Sequence, residues 1–247
     1  MTAMIPWLDD HTLEFPLTRA AQGPDTDAPG LLAAGGDLRT RRLRAAYARG
    51  IFPWYGPGQP VLWWSPEQRM VLQTLHFKLS RSLRKTLARF ARTPGCELRV
   101  DFDVANVIRR CATSPREGQS GSWIVPEMQQ AYEQWAAEAC VHSVETWIDG
   151  ELAGGLYGVN LGRMFYGESM FTLRSDASKI ALAGLVCMCR AFDVAWIDCQ
   201  QNTRHLASMG AFEVTREQFE QHLIKVVPLL APERWSFDPP LWQHLGL

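Results

Sequence analysis

The pattern of hydrophobic positions predicts separate helices and short strands before about residue 141 and mainly strands after it. The clearest helix covers residues 80–92, where the apolar side chains fall in one arc at about 100° per residue. These apolar residues are Leu79, Leu83, Leu87 and Phe90, and the basic residues opposite them are Arg81, Arg84, Lys85, Arg89 and Arg92. A charged face is typical of a solvated helix, but the lack of any acid on this one favours contact with phosphate groups.

The N-terminal third shows shorter elements. Residues 1–37 are interrupted by prolines and by a stretch rich in Gly and Asp, which predicts irregular chain. A helix is expected from an N-cap at Asp37 or Thr40 to about Ala48, with Gly50 as its C-cap. A loop rich in Gly and Pro follows, and then a short strand, VLWWSPE, that ends at Pro66.

Strands dominate from residue 141 onward. HSVETWI is followed by Asp149–Gly150, a dipeptide that favours a tight hairpin turn. ELAGGLYGVN and RMFYGESMF continue the pattern, a helix covers 178–192, and VAWIDCQ forms another strand. A helix should begin at Pro126, and the pair Thr215/Gln218 is a capping box for the last helix. Three antiparallel strands, a helix, a strand splaying away, and further helices and strands describe an α+β fold.

Size and composition exclude several classes of protein. The chain has 247 residues, 47% of them hydrophobic, which suits one large domain or one of ~150 residues with a small partner. Its longest apolar run, Ile180 to Cys189, is half of the roughly 20 residues that a membrane-spanning helix needs. The first residues lack the basic and apolar regions of a secretory signal. The six cysteines show no C-x-x-C spacing, so we expect reduced thiols in a cytoplasmic protein.

Charge is strongly segregated along the chain, although the net charge is −1. Residues 38–96 carry twelve Lys or Arg and a single acid, Glu67, which is a local charge of +11. The remainder of the chain carries −12. Such segregation suggests that one side of the molecule meets a polyanion.

Several segments together carry a family resemblance. In order they are GLLAAGGDL, GIFPWYGPGQPVLWWSP, HSVETW, GGLYGV, FYGESMF, ASKIAL, IDCQ and HLASMGA. Over about residues 11–225 this set resembles the leucyl/phenylalanyl-tRNA–protein transferase family. The resemblance implies a small N-terminal α/β domain, residues 1–67, that contributes to binding the tRNA 3′ end. It also implies a GNAT-type acyltransferase domain, residues 68–247, with a mixed, mainly antiparallel sheet.

The resemblance also implies the reaction and its partners. Leu or Phe, less often Met, would pass from aminoacyl-tRNA to the α-amine of a protein that begins with Arg or Lys, which creates a signal for bacterial N-end-rule proteolysis. Transfer of an aminoacyl ester to an amine runs downhill, so no cofactor, metal or ATP is expected. We expect a monomer, because no spare apolar stripe is visible.

Contacts with tRNA can be assigned to two groups of residues. Trp54 and Trp123 lie in Gly/Pro-rich loops, where an indole could either anchor the loop or stack on a base. The resemblance favours stacking on the terminal adenosine and adds Glu168, which could instead be an ordinary strand-end charge. The basic face would hold acceptor-stem phosphates through Arg81, Arg84, Lys85 and Arg89.

The aminoacyl side chain needs an apolar pocket. Residues at the matching positions are Leu156, Phe165, Met170, Leu182, Leu185 and Ile197. By spacing alone each could equally be ordinary core, and only the resemblance makes them a pocket. Members of the family often carry Met at the position of Leu156 and Phe at that of Leu185, so the choice between Leu and Phe stays open here.

Two polar residues are candidates for the chemistry. Asp198 and Gln200 are two apart on a strand, so both side chains are expected on one face. The resemblance assigns the catalytic pair to them: Gln200 would orient the α-amine, and Asp198 would support the charge relay. A hydroxyl of the tRNA itself is the alternative route for the proton. His205, on a short helix after this strand, is interpreted as structural.

Two other functions compete with this one. A GNAT enzyme using acetyl-CoA would carry a glycine-rich loop for the pyrophosphate, but the corresponding segment is LRSDASKIAL, without glycine. A non-catalytic RNA-binding protein would use the basic face and Trp54. That function leaves Asp198, Gln200 and the apolar pocket without a purpose.

Overall fold

The computed structural model describes residues 5–114 and 124–247, and within them the chain forms two β-sheets. The strands of the smaller sheet are β1 (Trp7–Leu8), β2 (Leu31–Gly35), β3 (Phe52–Pro53) and β4 (Leu62–Trp64). Their order is β1-β2-β4-β3. β1 runs parallel to β2, and the other pairs are antiparallel.

The larger sheet has seven strands in the described residues. They are β5 (Gln68–Gln73), β6 (Cys96–Val100), β7 (Val141–Ile148), β8 (Glu151–Leu161), β9 (Met164–Thr172), β10 (Trp196–Gln200) and β11 (Phe212–Thr215). Their order is β11-β5-β10-β9-β8-β7-β6. All neighbours are antiparallel except β9 and β10, which run parallel. This parallel pair positions the site described below.

Helices cover both faces of the larger sheet. The α-helices in the described residues are α1 (Thr40–Tyr47), α2 (Arg81–Phe90), α3 (Val104–Thr113), α4 (Pro126–Ala136), α5 (Ala177–Ala191), α6 (Arg204–Ser208) and α7 (Arg216–Val226). The mixed α+β class expected from the sequence is therefore confirmed. None of these helices has the length and apolar character needed to cross a membrane.

Local signals in the sequence predict the later elements well. The Ser80 hydroxyl accepts a hydrogen bond from the Leu83 N–H and starts α2, whose apolar arc is buried and whose basic face is exposed. Asp149 and Gly150 both have positive φ, as a type I′ hairpin turn requires. The capping box at Thr215 is present, with both of its hydrogen bonds.

Two expectations for the N-terminal region are wrong. Residues 31–35, expected to be irregular, form β2, and every one of them is buried. Helix α1 is capped by neither Asp37 nor Thr40, because the Asp37 carboxylate instead binds the backbone and side chain of Arg39, which is the N-cap residue. The C-cap is Ala48, not Gly50; Gly50 has a φ of +73°, beyond the last helical residue.

Alternating side chains of the larger sheet pack into two apolar clusters. Tyr157 and Tyr166 face the cluster that contains α1, α3, α4 and the smaller sheet. Their neighbours Leu156 and Phe165 face the cluster that contains α2, α5 and the C-terminal Trp235 and Trp242. Because successive side chains of a strand point to opposite faces, one strand contributes to both clusters.

Close packing between β8 and β9 depends on glycine. Gly158 lies opposite Gly167 at a register shift, next to Glu168. A Cβ added to Gly158 would lie 2.3 Å from the Tyr166 carbonyl oxygen and 2.4 Å from the Phe165 ring. The backbone oxygen cannot move away without disturbing the strand pairing.

We expect Gly158→Ala to lower the free energy of unfolding by about 1–3 kcal/mol, as overpacking of a core does. Gly23→Ala is the matched control, because an added Cβ there meets nothing within 4 Å. That variant should stay within about 0.5 kcal/mol of the wild type. Urea denaturation of both variants tests this, and equal stabilities would contradict the role assigned to Gly158.

Candidate active site

A cavity of about 610 Å³ opens beside the parallel strands β9 and β10. This volume is within the usual range for small-molecule sites. Residues from β3, β8, β9, α5, β10 and α6 contribute to its wall. They include Phe52, Leu156, Tyr157, Gly167, Glu168, Ser169, Met170, Leu182, Leu185, Ile197, Asp198, Cys199, Gln200, His205 and Leu206, together with Trp54 from the loop after β3 and Gln201 and Thr203 from the loop after β10.

One part of the cavity wall is apolar. Five of the six residues predicted for the aminoacyl pocket meet here: Leu156, Met170, Leu182, Leu185 and Ile197. Phe165 is not among the described residues that line the cavity. Its ring is fully buried and lies 5.2 Å from that of Trp235. In the parallel register Phe165 pairs with Ile197, so it lies immediately next to a wall residue.

The polar part of the wall begins with an ion pair between Asp198 and Arg69. Arg69 Nε donates to Asp198 Oδ1 at 2.8 Å, and Arg69 Nη2 donates to Oδ2 at 2.5 Å. The Arg69 side chain is 2% exposed and that of Asp198 is 0% exposed. Two parallel hydrogen bonds between a guanidinium and a carboxylate form a strong, well-oriented contact. The Asp198 carboxylate is therefore held as the partner of a fixed cation.

Arg69 is itself enclosed by three different parts of the chain. Its Nη1 donates to the Gly50 carbonyl oxygen at 3.2 Å. Its Cζ lies 4.4 Å from the ring centre of Phe52 and 4.9 Å from that of Phe219. Cation–π contacts of this kind are stronger when they are shielded from water. The guanidinium thus connects the N-terminal region, α7 and strand β10.

Gln200 follows Asp198 across a break in the strand pairing. The register of β10 against β5 shifts between the two residues, and Gln200 has a φ of +59°. The Gln200 N–H donates to Asp198 Oδ1 at 2.8 Å, and its Nε2 donates to Glu168 Oε1 at 3.2 Å. Both predicted residues line the cavity, but simple strand alternation does not explain why, since the backbone is irregular between them.

Glu168 lies at the centre of a buried cluster of hydroxyl groups. The Tyr47 hydroxyl oxygen is 2.7 Å from Oε1, and the Tyr132 hydroxyl oxygen is 3.2 Å from Oε2. The two hydroxyl oxygens are 2.6 Å apart. Burial raises the pKa of Glu168 to about 7, and the charge of Asp198 acts in the same direction, although the hydrogen bond from Gln200 opposes it.

Three residues of this site were not predicted from the sequence: Arg69, Tyr47 and Tyr132. A lone arginine before the apolar run Met70–Leu72 is a weak signal for a buried cation. The two tyrosines resemble ordinary core aromatics on amphipathic helices, and nothing local indicates that their hydroxyl groups meet a carboxyl group. Their pKa values are raised well above the usual range, mainly by burial, so both stay protonated.

Residues predicted to bind tRNA are only partly brought together. Trp54 lines the cavity and packs edge-on against Trp64, whose Nε1 donates to the Trp54 carbonyl oxygen. Trp123 lies outside the described residues. On α2, Arg81, Arg84, Lys85 and Arg89 are all exposed, and Arg84 also donates to the carbonyl oxygens of residues 245 and 246, each at 3.1 Å.

His205, interpreted as structural from the sequence, lies on the cavity wall. Burial and the charge of Lys179 lower the pKa of its imidazole. Within residues 5–114 and 124–247, no group of three or more His, Cys, Asp or Glu side chains is placed to hold a metal ion.

Comparison with known proteins identifies the family. The family model described as leucyl/phenylalanyl-tRNA protein transferase matches residues 71–224, and that of its N-terminal domain matches residues 36–67. A leucyl/phenylalanyl-tRNA–protein transferase from Leptothrix cholodnii is 61% identical over 245 residues, covering 98% of this chain and 96% of the relative. The chain belongs to the leucyl/phenylalanyl-tRNA–protein transferase family. A second transferase of this name, from Methylibium petroleiphilum, is 59% identical over 99% of this chain and 92% of its own length.

Similarity to solved structures is remote. A conserved protein of unknown function from Staphylococcus epidermidis aligns over 75% of this chain and 68% of its own, with a TM-score of 0.36 and 7% identity. The family model, by comparison, covers the segments GESMF (residues 167–171) and IDCQ (residues 197–200). Both segments contribute residues to the cavity wall. Family membership makes the chain an aminoacyltransferase.

The buried ion pair generates a stability prediction. Arg69→Met leaves the Asp198 carboxylate buried without a cation to pair with, and we expect the free energy of unfolding to fall by about 3–5 kcal/mol. The double variant Arg69→Met/Asp198→Leu should recover most of this loss, because no buried charge remains. Arg174→Met is the control, since its pairs with Asp149 and Glu151 are exposed. It should change stability by about 1 kcal/mol or less. A double variant that is no more stable than Arg69→Met would contradict this account.

The raised pKa of Glu168 predicts a pH effect on stability. Since its folded pKa of about 7 lies above the ordinary value of 4.5, the carboxyl group favours folding fully below pH 4.5 and loses that contribution as the pH rises to 7. Over this range the wild type should lose up to roughly 3 kcal/mol relative to Glu168→Gln. Denaturant titrations at several pH values measure the difference. Exposed Glu133→Gln should show no such divergence from the wild type, and parallel curves for Glu168→Gln would refute the assignment.

Proposed function

We propose that the chain transfers Leu or Phe, and less often Met, from aminoacyl-tRNA to the N-terminal α-amine of proteins that begin with Arg or Lys. The product would carry a signal for bacterial N-end-rule proteolysis. The observation that carries this proposal is one cavity with an apolar wall on one side and Glu168, Asp198 and Gln200 on the other, in a chain of this family. Such a cavity suits an apolar side chain attached to a reactive ester.

The apolar wall would hold the aminoacyl side chain. Leu156, Met170, Leu182, Leu185 and Ile197 all border the cavity, which supports the pocket. The unbranched Met170 adapts to side chains of different shape, which fits the use of more than one amino acid. Phe165 would act from behind this wall, through its neighbour Ile197.

Gln200 would orient the attacking amine. Its backbone is held by Asp198 and its amide by Glu168, so the side chain is restrained before a substrate binds. Asp198 would support the charge relay indirectly, because Arg69 and the Gln200 N–H already occupy its oxygens. Asp198 is therefore proposed as the residue that positions Gln200.

The tRNA would approach from the Trp54 side of the cavity. Trp54 lines the cavity and, together with Trp123 and Glu168, would bind the 3′-adenosine. Arg81, Lys85 and Arg89 are exposed on one face of α2 and would contact acceptor-stem phosphates. Arg84 would contribute less than these three, because its guanidinium is engaged by the carbonyl oxygens at the C-terminus.

The domain organisation is part of the same proposal. Residues 1–67 would form the small domain and residues 68–247 a GNAT-like domain, since the strands of each sheet come from one of these two ranges. The order of antiparallel strands β7–β9, helix α5 and parallel strand β10 supports the GNAT-like assignment. We further propose a cytoplasmic monomer.

A transfer assay tests the function directly. Purified protein is mixed with tRNA charged with labelled Leu or Phe and with a peptide that begins with Arg, and label on the peptide is measured. We expect label on this peptide and none on a peptide that begins with Asp. Absence of label with both aminoacyl-tRNAs, together with acetylation of the peptide from acetyl-CoA, would contradict the proposed donor.

Substitution of Gln200 separates transfer from binding. Gln200→Ala should slow single-turnover transfer by about 100-fold or more, because a preoriented polar group is lost from the reacting centre. Binding of the tRNA, measured by filter retention, should change little. Gln221→Ala, at an exposed position on α7, is the matched control. Equal transfer rates for Gln200→Ala and the wild type would exclude this residue from the reaction.

A further inference from the structure

The contacts around Glu168 form a closed triangle of three oxygen-bearing groups. Its corners are the hydroxyl groups of Tyr47 and Tyr132 and the carboxyl group of Glu168, and its sides measure 2.6, 2.7 and 3.2 Å. Both tyrosines are 0% exposed and Glu168 is 7% exposed. Each side of this triangle is within hydrogen-bonding distance, so each requires one proton.

Counting protons decides the state of the carboxyl group. The two tyrosines supply only two protons for three contacts. An ionised Glu168 would leave one side of the triangle without a proton, so that lone pairs would face each other. A protonated Glu168 satisfies all three sides: Oε1–H donates to Tyr47, Tyr47 O–H donates to Tyr132, and Tyr132 O–H donates to Oε2. Gln200 Nε2 can still donate to Oε1 in this arrangement.

The surrounding charges are consistent with a neutral carboxyl group. Titratable groups face Glu168 from α1 and α4, which carry Tyr47 and Tyr132, and from β10, which carries Asp198. The ring of Tyr157, on β8, lies 5.7 Å from that of Tyr132, and Cys199 and His205 line the same cavity. The cation in this region, Arg69, is paired with Asp198. In the part of the chain that the structure describes, no ion pair reaches Glu168, whose pKa burial raises to about 7.

We propose that the two tyrosines hold Glu168 as a neutral carboxylic acid and that Glu168 is the proton shuttle of aminoacyl transfer. This proposal rests on the proposed function. Glu168 lines the cavity beside Gln200, so its proton lies next to the groups proposed to orient the amine. Tyr47 and Tyr132 are positioning residues, since they act on the substrate only through Glu168.

The reaction then balances without a co-reactant. The lone pair of the α-amine forms a C–N bond with the ester carbonyl carbon, and the C–O bond to the ribose breaks. The ribose oxygen takes the proton of Glu168. The carboxylate that remains takes the proton that the new amide nitrogen releases, which regenerates the neutral acid.

Two measurements test this proposal separately. The first follows the ¹³C carboxyl resonance of Glu168 in the full-length protein as a function of pH, with Glu168→Gln used to assign it by the loss of that resonance. We expect a midpoint near 7, and a lower midpoint in Tyr132→Phe, because the proton of Tyr47 alone can then satisfy an ionised carboxyl group. A midpoint in the ordinary range of exposed glutamates would overturn the proposal, whatever the transfer activity.

The second measurement is the single-turnover transfer rate as a function of pH. The rate should fall on the alkaline side with the midpoint found for the carboxyl group, and Tyr132→Phe should move this fall to lower pH. Glu168→Gln keeps a similar shape but holds no transferable proton, so we expect a loss of about 100-fold or more and no alkaline fall. Glu133→Gln, exposed on α4, is the matched control. Circular dichroism verifies that each variant is folded.

The outcomes are distinguishable from failure of the proposed function. If the wild type transfers label and Glu168→Gln retains its rate within a few-fold, the shuttle is wrong and the function stands. If the wild type transfers no label, both the function and the shuttle are wrong, while the carboxyl titration still reports whether the triangle holds a neutral acid. If Glu168→Gln does not fold, the response of the titration and the pH profile to Tyr132→Phe decides, and no shift in either would refute the proposal.

Discussion

The structure around the cavity depends on one buried ion pair, Arg69–Asp198. A charge in a dry interior is strongly unfavourable unless a partner and further hydrogen bonds satisfy it. Here the guanidinium binds both oxygens of Asp198 and also the Gly50 carbonyl oxygen, between the rings of Phe52 and Phe219. The pair therefore connects the smaller sheet, the larger sheet and α7. Asp198 in turn fixes the backbone of Gln200.

The geometry of the larger sheet brings this pair to the cavity. Strands β9 and β10 pair in parallel over only two residue pairs, after which the regular pairing of β10 is interrupted at Gln200. The left-handed backbone of Gln200 allows its amide to reach Glu168 across the two strands. Glu168 is held from the other side by α1 and α4 through Tyr47 and Tyr132. Groups restrained in this way need little reorganisation when a substrate arrives.

The two halves of the cavity wall match the two requirements of the proposed reaction. An apolar side chain of varying shape needs non-specific burial, and leucines, an isoleucine and a methionine provide it. A reacting ester and amine need fixed polar groups, and these come from a network in which each member restrains the next. A structural ion pair, a backbone irregularity and two buried tyrosines thus act together on one short stretch of β9 and β10.

The sequence by itself determined the elements whose signals are local. The apolar arc of α2, the Asp149–Gly150 turn and the Thr215 capping box depend on neighbouring residues, and the sequence predicts each of them. Five residues of the apolar cavity wall were also named from the sequence, through the motifs that carry the family resemblance and not through their spacing. Tertiary structure alone decided the polar network, since Arg69 meets Asp198 across 129 residues and Tyr47 meets Glu168 across 121. No local pattern records a contact of that separation, because it exists only once separate elements have packed together.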